Sequence, residues 1–388
     1  MSLTNRWPDA GFGIYIHWPF CEAKCPYCDF NSHVSATIDQ DTWRNAYLKE
    51  IERCAKELPD RIVRSVFFGG GTPSLMDPSL VDDILGLISK KWRLVNAPEI
   101  TLEANPSSVE ADRFKGYKAA GVNRVSLGVQ ALNDADLKRL GRLHNVKDAQ
   151  RALDIAQHTF NRASFDLIYA RQDQSLLDWE TELTRALNFG FSHMSLYQLT
   201  IEGGTAFGAR HARGALRGLP DEDLSADMYD LTLKMCETAG VPMYEVSNYA
   251  HADAQSEHNL IYWRGGEYLG IGPGAHGRIH DETGQRWATH THLSPTHWLH
   301  SVQAGSGELE RELLTPDMCA SEYVMMGLRL REGISLNKFN ALAENAIDKA
   351  SLDHLSSIGA IKYVDGNLVV EKQYVKVLNS VAAELLRN

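Results

Sequence analysis

The first two-thirds of the chain alternates short apolar runs with longer segments in which apolar residues recur every three to four positions. The apolar runs predict strands over residues 14–17, 65–68, 99–103, 124–128, 163–169 and 193–199. The intervening patterns predict helices over residues 41–58, 79–91, 111–120, 134–140, 147–157, 176–188 and 223–239. Six β-α units predict an α/β fold with a parallel sheet and right-handed crossovers. The pattern alone leaves open a partial barrel and an open doubly wound sheet.

The pattern changes after Pro242. Strands are predicted at 243–247 and 268–271, and residues 277–298 are interpreted as a loop rich in His and Thr. Helices over 316–330, 336–343 and 347–358 precede a hairpin of 361–364 and 368–370, turned by Asp365-Gly366-Asn367, and a last helix over 374–386. Helices followed by a hairpin are typical of a winged helix. The predicted units are therefore a β/α core (1–240), an extension with the His-rich segment (241–310) and a winged-helix-like domain (311–388).

Composition narrows the range of partners. The 388 residues carry a formal net charge of −11 with no basic stripe, so nucleic acid is not the expected partner and a packing or lid function is favoured for the last domain. No apolar run reaches membrane-spanning length, and residues 1–8 lack the apolar segment of a secretory signal. The expected location is a reducing cytoplasm. Cys54, Cys236 and Cys319 lie far apart in sequence and are expected to be free thiols within helices.

Three cysteines share one short loop, Cys21, Cys25 and Cys28, with the spacing C-x3-C-x2-C. A structural zinc site needs four ligands, and a disulfide uses thiols in pairs. A [4Fe-4S] cluster held by three thiolates keeps one iron open to another ligand, and thiolate is the ligand that such clusters select. The loop therefore predicts an iron–sulfur site. A degenerate zinc knuckle or three unrelated thiols remain the alternatives.

A second motif, Gly69-Gly70-Gly71-Thr72-Pro73, follows the second predicted strand. Glycines at the end of a strand let the backbone approach a ligand closely. On a β/α scaffold this end is where ligands bind. The motif therefore predicts a ligand site near the cysteine loop.

The two motifs together resemble the radical S-adenosylmethionine (SAM) superfamily. The resemblance implies a partial (β/α)6 TIM-like barrel, a [4Fe-4S] cluster on Cys21, Cys25 and Cys28, and SAM on the open iron. It implies that Tyr27, which precedes the third cysteine, contacts the adenine of SAM, and that the glycine-rich run binds its amino group. The residues that the resemblance assigns to SAM are Tyr15, Tyr27, Gly70, Gly71, Thr72, Glu103, Gln130, Arg142 and Asp166. Taken singly, several of them could equally be ordinary paired polar residues.

Within the superfamily, the chain resembles the oxygen-independent coproporphyrinogen III oxidases and their relatives over nearly its whole length. Two features place it nearer the haem chaperones of the HemW group. Phe30 stands where the oxidase has a further cysteine, and His258-Asn259-Leu260-Ile261-Tyr262-Trp263 matches the H-N-x-x-Y-W motif of the chaperones. One departure is that the family usually continues Gly-Leu-Pro where this chain has Ala170-Arg171-Gln172.

Haem as a ligand has support from residue types as well. Eight of the fifteen histidines lie between residues 251 and 300, and imidazole is a common axial ligand of haem iron. We expect haem contacts from His258, Tyr262 and Trp263, although His258 could instead cap a helix or bond to the backbone, and the two aromatic residues could pack a core. The resemblance implies a chaperone that passes haem to an acceptor protein, and it suggests a homodimer. The alternative function is radical SAM decarboxylation of a porphyrinogen in porphyrin biosynthesis, and no catalytic residue is assigned.

Overall fold

The computed structural model describes residues 10–109 and 111–387. Residues 1–8, which were predicted to carry no secretory signal, lie outside the described residues. The strands are β1 (Phe12–Trp18), β2 (Phe20–Cys21), β3 (His33–Val34), β4 (Ile62–Gly70), β5 (Arg93–Ala104), β6 (Arg124–Gln130), β7 (Arg162–Tyr169), β8 (His193–Gln198), β9 (Met243–Glu245), β10 (Asn248–Ala250), β11 (Glu267–Ile271), β12 (His276–His280), β13 (Arg286–His290), β14 (Glu312–Leu313), β15 (Ile334–Ser335), β16 (Ile361–Val364) and β17 (Asn367–Val370).

The helices follow the predicted alternation in the first two-thirds of the chain. They are α1 (Gln40–Glu57), α2 (Pro78–Lys91), α3 (Ala111–Ala120), α4 (Asp134–Arg139), α5 (Val146–Thr159), α6 (Leu176–Leu187), α7 (Ala206–Ala212), α8 (Glu222–Thr238), α9 (Glu257–Trp263), α10 (Pro295–Ala304), α11 (Pro316–Gly327), α12 (Leu336–Leu342), α13 (Lys349–Ser357) and α14 (Leu378–Leu385). No helix in the described part of the chain is long and apolar enough to cross a membrane.

The main sheet has twelve strands, and its central strands β1, β4, β5, β6, β7 and β8 are parallel and lie side by side in chain order. A doubly wound sheet reverses its strand order at a switch point, whereas a barrel does not. The order therefore selects the partial barrel from the two predicted alternatives. β11 lies parallel to β1 on its other side, β10 lies antiparallel to β8, and among residues 10–109 and 111–387 no pairing joins the two ends of the sheet.

Parallel pairing brings the carboxyl ends of the central strands to one edge. His17 and Trp18 of β1 lie opposite Gly69 and Gly70 of β4, so the cysteine loop and the glycine-rich motif leave the sheet side by side. Glu103 of β5 lies opposite Ser126 of β6 in the same way. The apolar faces of these strands and of the covering helices form the main core. Burial of this core holds the edge in place.

The segment 277–298 corrects the sequence interpretation. It is not a loop, because β12 and β13 pair as an antiparallel hairpin from His276↔His290 to His280↔Arg286, and α10 begins at Pro295. The hairpin extends the sheet beyond β11. Its strands carry His, Arg and Thr at many positions, and these polar residues hide the alternation of buried positions that marks a strand.

The C-terminal part has a core of its own, built from α11, α12, α13, α14 and a three-stranded sheet in the order β15-β17-β16. The predicted order of helices and hairpin is present. The last helix begins later than predicted, at Leu378, because residues Lys372–Val377 form a 3-10 helix. The predicted division of the chain at residues 240 and 310 stays a prediction.

Candidate cofactor site

Backbone hydrogen bonds join the cysteine loop to the glycine-rich motif. The N–H of Gly71 donates to the carbonyl oxygen of Trp18 at 2.7 Å, and the N–H of Thr72 donates to that of Phe20 at 2.8 Å. A Cβ on Gly71 would lie 2.5 Å from the carbonyl oxygen of Phe20. Glycine is therefore required for this approach, and the two predicted motifs act as one structural unit.

Cys21, Cys25 and Cys28 are half-buried free thiols that line one cavity of about 400 Å³, called here the thiol cavity. Thr72 Oγ1 donates to Cys21 Sγ at 3.4 Å, and Arg142 Nη1 donates to Cys25 Sγ at 3.2 Å. Burial raises the pKa of the Cys21 and Cys28 thiols, while the Thr72 hydrogen bond opposes that rise at Cys21. Nearby donors of this kind stabilise a thiolate, the form that binds metal.

No group of three His, Cys, Asp or Glu side chains within the described ranges has the spacing to hold one metal ion. This is compatible with a cluster, because in a cluster each thiolate binds its own iron instead of sharing one ion. All three cysteines line the thiol cavity, which fits the donor set of a cluster.

The structure brings eight of the nine residues assigned to SAM to the thiol cavity. They are Tyr27, Gly70, Gly71, Thr72, Glu103, Gln130, Arg142 and Asp166. Tyr15 does not line this cavity, and its hydroxyl lies 3.0 Å from Nδ1 of His17.

Two half-buried carboxyl groups, those of Glu103 and Asp166, line the thiol cavity. The N–H of Gly70 donates to Glu103 Oε2 at 3.3 Å, and Ser126 Oγ donates to Asp166 Oδ1 at 3.3 Å. Burial and the neighbouring Asp166 charge raise the pKa of Glu103 to about 8. Burial likewise raises the pKa of Asp166 to about 6. Carboxyl groups so placed would regain favourable interactions from a ligand that brings hydroxyl or ammonium donors.

The end of β6 is distorted to shape the cavity. Gln130 has a φ of 71°, a conformation that costs energy for a residue with a Cβ, and the pairing of β6 with β7 shifts register before it. Such strain is concentrated at ligand sites. Nε of Arg142 and Oδ1 of Asn105 are buried without a hydrogen-bond partner among the described residues. Both residues line the thiol cavity, so the polar groups present fit a polar ligand such as SAM.

A second cavity of about 410 Å³, called here the aromatic cavity, shares Phe30, Gly70 and Glu103 with the thiol cavity. Tyr262 and Trp263, two of the residues predicted to contact haem, lie in its wall. The wall also includes Tyr15, His17, Tyr268, His276, Arg278, Glu322, Tyr323 and Met326. The size and the aromatic lining are typical of a site for a flat organic ligand.

His258 is not in the wall of the aromatic cavity. Its side chain is buried, with Nδ1 at 2.7 Å from Ser65 Oγ and Nε2 at 2.6 Å from the Tyr262 hydroxyl. Burial lowers the pKa of His258 to about 3, so the ring is neutral. Because both ring nitrogens are engaged, neither presents a lone pair to haem iron. The structure thus holds the His258 ring between β4 and its own helix α9 through two side-chain hydrogen bonds, and not through the helix cap or backbone bond considered as the alternative.

Several residues of the site were not predicted from the sequence. Asn105, Ser126 and Tyr197 line the thiol cavity, and His276 and Arg278 line the aromatic cavity. Asn105 and Tyr197 lie at or just beyond the carboxyl ends of β5 and β8, a position that the sequence pattern could have indicated, whereas Ser126 lies within β6. Arg278 lies in the segment 277–298 that was interpreted as a loop, and His276, directly before it, was counted only as one of the eight clustered histidines.

The loop at Ala170, where the chain differs from the usual Gly-Leu-Pro of the family, has an unusual backbone conformation. Ala170 is buried and has a φ of 56°, in the left-handed region that suits the glycine usual in the family. The next residue, Arg171, donates to Glu182 at 2.6 Å and to Asp136 at 3.0 Å. These buried ion pairs hold the loop in place despite the strained backbone.

Comparisons with known proteins give a family and several relatives for the chain. The model of the radical SAM superfamily matches residues 15–181. The mitochondrial radical S-adenosyl methionine domain-containing protein 1 of Danio rerio is 41% identical over 327 residues, which cover 83% of this chain and 73% of the relative. The haem chaperone HemW of Escherichia coli (strain K12) is 42% identical over 268 residues, 69% of this chain and 70% of the relative.

Among solved structures, the coproporphyrinogen III oxidase HemN of Escherichia coli, a radical SAM enzyme, superposes with a TM-score of 0.82 over 99% of this chain and 92% of that chain. The two sequences are 20% identical, so this likeness shows the shared fold alone.

Proposed function

This chain belongs to the radical SAM superfamily, in the group that includes the haem chaperones HemW, and we propose that it binds haem and passes it to an acceptor protein. The resemblance to the radical SAM superfamily that the sequence motifs indicated is therefore confirmed. The observation that carries the proposal is the pair of adjacent cavities, one lined by thiols and one by aromatic rings, on a chain that is 42% identical to a haem chaperone.

The thiol cavity would hold the two cofactors of the superfamily. Cys21, Cys25 and Cys28 would bind a [4Fe-4S] cluster, which supplies a one-electron redox centre with an iron open to SAM. Glu103 and Asp166 would accept hydrogen bonds from SAM, and Arg142, which donates to Cys25 Sγ, would position that thiolate. A cluster of this kind is sensitive to oxygen, which supports a reducing compartment such as the cytoplasm.

Haem would bind in the aromatic cavity, with Tyr262 and Trp263 supplying flat faces. Glu322, Tyr323 and Met326 of α11 form part of the same wall. This placement supports a lid function for the winged-helix-like part of the chain. Movement of that part would open the cavity for transfer of haem to an acceptor.

The second candidate function is oxidative decarboxylation of a porphyrinogen, favoured by the fold that the chain shares with HemN. Phe30 argues against it. Its side chain is 57% exposed between the two cavities, at the position where the resemblance places a cysteine in the oxidase. An apolar ring there removes a thiol from the region between cofactor and substrate.

Two assays on anaerobically reconstituted protein separate the candidates. The protein is mixed with dithionite, SAM and coproporphyrinogen III, and porphyrin products are measured. The chaperone proposal predicts no stoichiometric formation of protoporphyrinogen IX, and such formation would overturn it.

In the second assay, haem-loaded protein is mixed with an apo-haem protein and the Soret band of the acceptor is followed. We expect transfer at a rate that depends on both protein concentrations. A rate equal to spontaneous haem release, unchanged by acceptor concentration, would contradict a chaperone function.

A further inference from the structure

Two imidazoles, those of His17 and His276, line the aromatic cavity. Nδ1 of His17 lies 3.0 Å from the Tyr15 hydroxyl, and its Nε2 lies 2.9 Å from the carbonyl oxygen of Asn31. Both nitrogens of His17 are therefore engaged. His276 is exposed to the cavity, and the structure records no hydrogen bond to its ring among the described residues. A haem iron needs an unshared nitrogen lone pair, and His276 supplies one.

The backbone around His276 is held firmly. Its strand β12 follows the turn 272–275, in which the N–H of Ala275 donates to Thr291 Oγ1 at 2.9 Å and that hydroxyl donates to the carbonyl oxygen of Gly272. A Cβ on Gly270 would lie 2.2 Å from the carbonyl oxygen of His276, so the neighbouring strand packs tightly against it. A ligand on a rigid element keeps a fixed position, as a metal ligand requires.

The surrounding walls suit a porphyrin. The rings of Tyr262 and Tyr268 lie edge to face with centroids 4.5 Å apart, and Tyr323 and Met326 face the same space. Arg278 stands two residues from His276 on the same strand and pairs with Glu322 at 2.7 Å, so this wall carries no unpaired charge at that point. Aromatic and thioether groups around one imidazole provide an apolar binding pocket with a single strong ligand for iron.

We propose that haem bound in the aromatic cavity takes His276 as its axial iron ligand. The inference rests on the proposed function, which supplies the haem, but assigns the ligand from the structure. It differs from the motif-based expectation, since His258 lies behind the wall with both ring nitrogens engaged. Phe30, Gly70 and Glu103 lie between the aromatic cavity and the thiol cavity, so haem and SAM would occupy adjacent but distinct sites.

The test is an anaerobic haem titration of the full chain, followed by absorption at the Soret band. In His276→Gly we expect haem affinity to fall by about tenfold or more, because the loss of a metal ligand costs at least what loss of its supporting groups costs. Added imidazole should restore the wild-type Soret position in this variant, since free imidazole fills the space that the side chain leaves. His276→Met, which offers a thioether, should bind haem with a shifted spectrum.

The matched control is His300→Ala, an exposed histidine on α10 outside both cavities. It should titrate as the wild type does. A His276→Gly variant with wild-type affinity and Soret position would overturn the assignment and leave the chaperone proposal standing. A folded His276→Gly variant that imidazole does not rescue, together with an unshifted His276→Met spectrum, would also overturn it. Wild-type protein that binds no haem would overturn both proposals.

Discussion

A strong perturbation of stability is predicted at Glu99, a carboxylate with 2% of its surface exposed. It accepts hydrogen bonds from the backbone N–H groups of Glu257 and His258, both at 3.1 Å, and thereby anchors the start of α9. Arg162 Nη1 lies 2.9 Å from Glu99 Oε2, and Arg124 Nε lies 3.9 Å from it. Glu99 therefore holds in place the helix that carries Tyr262 and Trp263.

Replacement of Glu99 by glutamine removes the charge and keeps the shape. Breaking a buried ion pair on one side costs about 3–5 kcal/mol. The side chain of Arg162 is 29% exposed and can regain some hydration, so we expect a loss of about 3 kcal/mol in the free energy of unfolding at pH 7. Burial alone would raise the pKa of Glu99, but Arg124 and Arg162 hold it below its ordinary value of 4.5.

The depressed pKa determines the pH dependence. Stabilisation by ionised Glu99 is fully present above the unfolded-state pKa and is lost as pH falls through the lower folded-state pKa. The difference between wild type and Glu99→Gln should therefore be largest at neutral pH and shrink below pH 4.5. Urea unfolding across this range measures it, with the exposed Glu180→Gln as the control. A difference at pH 7 within about 0.5 kcal/mol, as for ordinary surface substitutions, would refute the reasoning.

Three further predictions concern the site. Gly71→Ala should cost about 1–3 kcal/mol of stability by urea unfolding and weaken SAM binding in calorimetry, because its Cβ would meet the Phe20 backbone. Gly86→Ala, which has open space in α2, should gain up to about 1 kcal/mol, and equal effects of the two changes would contradict this account. The raised pKa of Glu103 predicts that ligand-free protein loses stability as pH rises toward 8, and Glu103→Gln should flatten that slope; an unchanged slope would exclude Glu103 as its source. Ala170→Gly should raise the free energy of unfolding by about 0.5–1 kcal/mol by removing left-handed strain, and a decrease would contradict the strain.

The central parallel strands and the cofactor residues were predictable from sequence because their signals are local. Apolar runs mark β1, β4, β5, β6, β7 and β8, and the spacing of Cys21, Cys25 and Cys28 is visible in eight consecutive residues. Residues at strand ends converge whenever the strands are parallel, and that is why most of the residues assigned to SAM share one cavity. The strand order that distinguishes a partial barrel from a doubly wound sheet needed the structure.

What sequence could not provide depends on long-range contacts. Glu99 looks like the polar start of a strand, and its partners at Arg124, Arg162 and the start of α9 are distant in the chain. His258 belongs to a motif, but whether its ring faces a ligand or Ser65 is decided by tertiary packing. His276 could not be separated from the other histidines, because the exposure of a side chain depends on the pairing of β12 with its neighbours.

The most direct test of the account is the iron and acid-labile sulfide content of protein reconstituted without oxygen. The wild type should hold about four irons and four sulfides per chain, as a [4Fe-4S] cluster requires. Replacing Cys21, Cys25 and Cys28 together by alanine should abolish both, while Cys236→Ala, a buried thiol of α8, should keep them. Iron and sulfide retained by the triple variant, or absent from the wild type, would contradict the central claim.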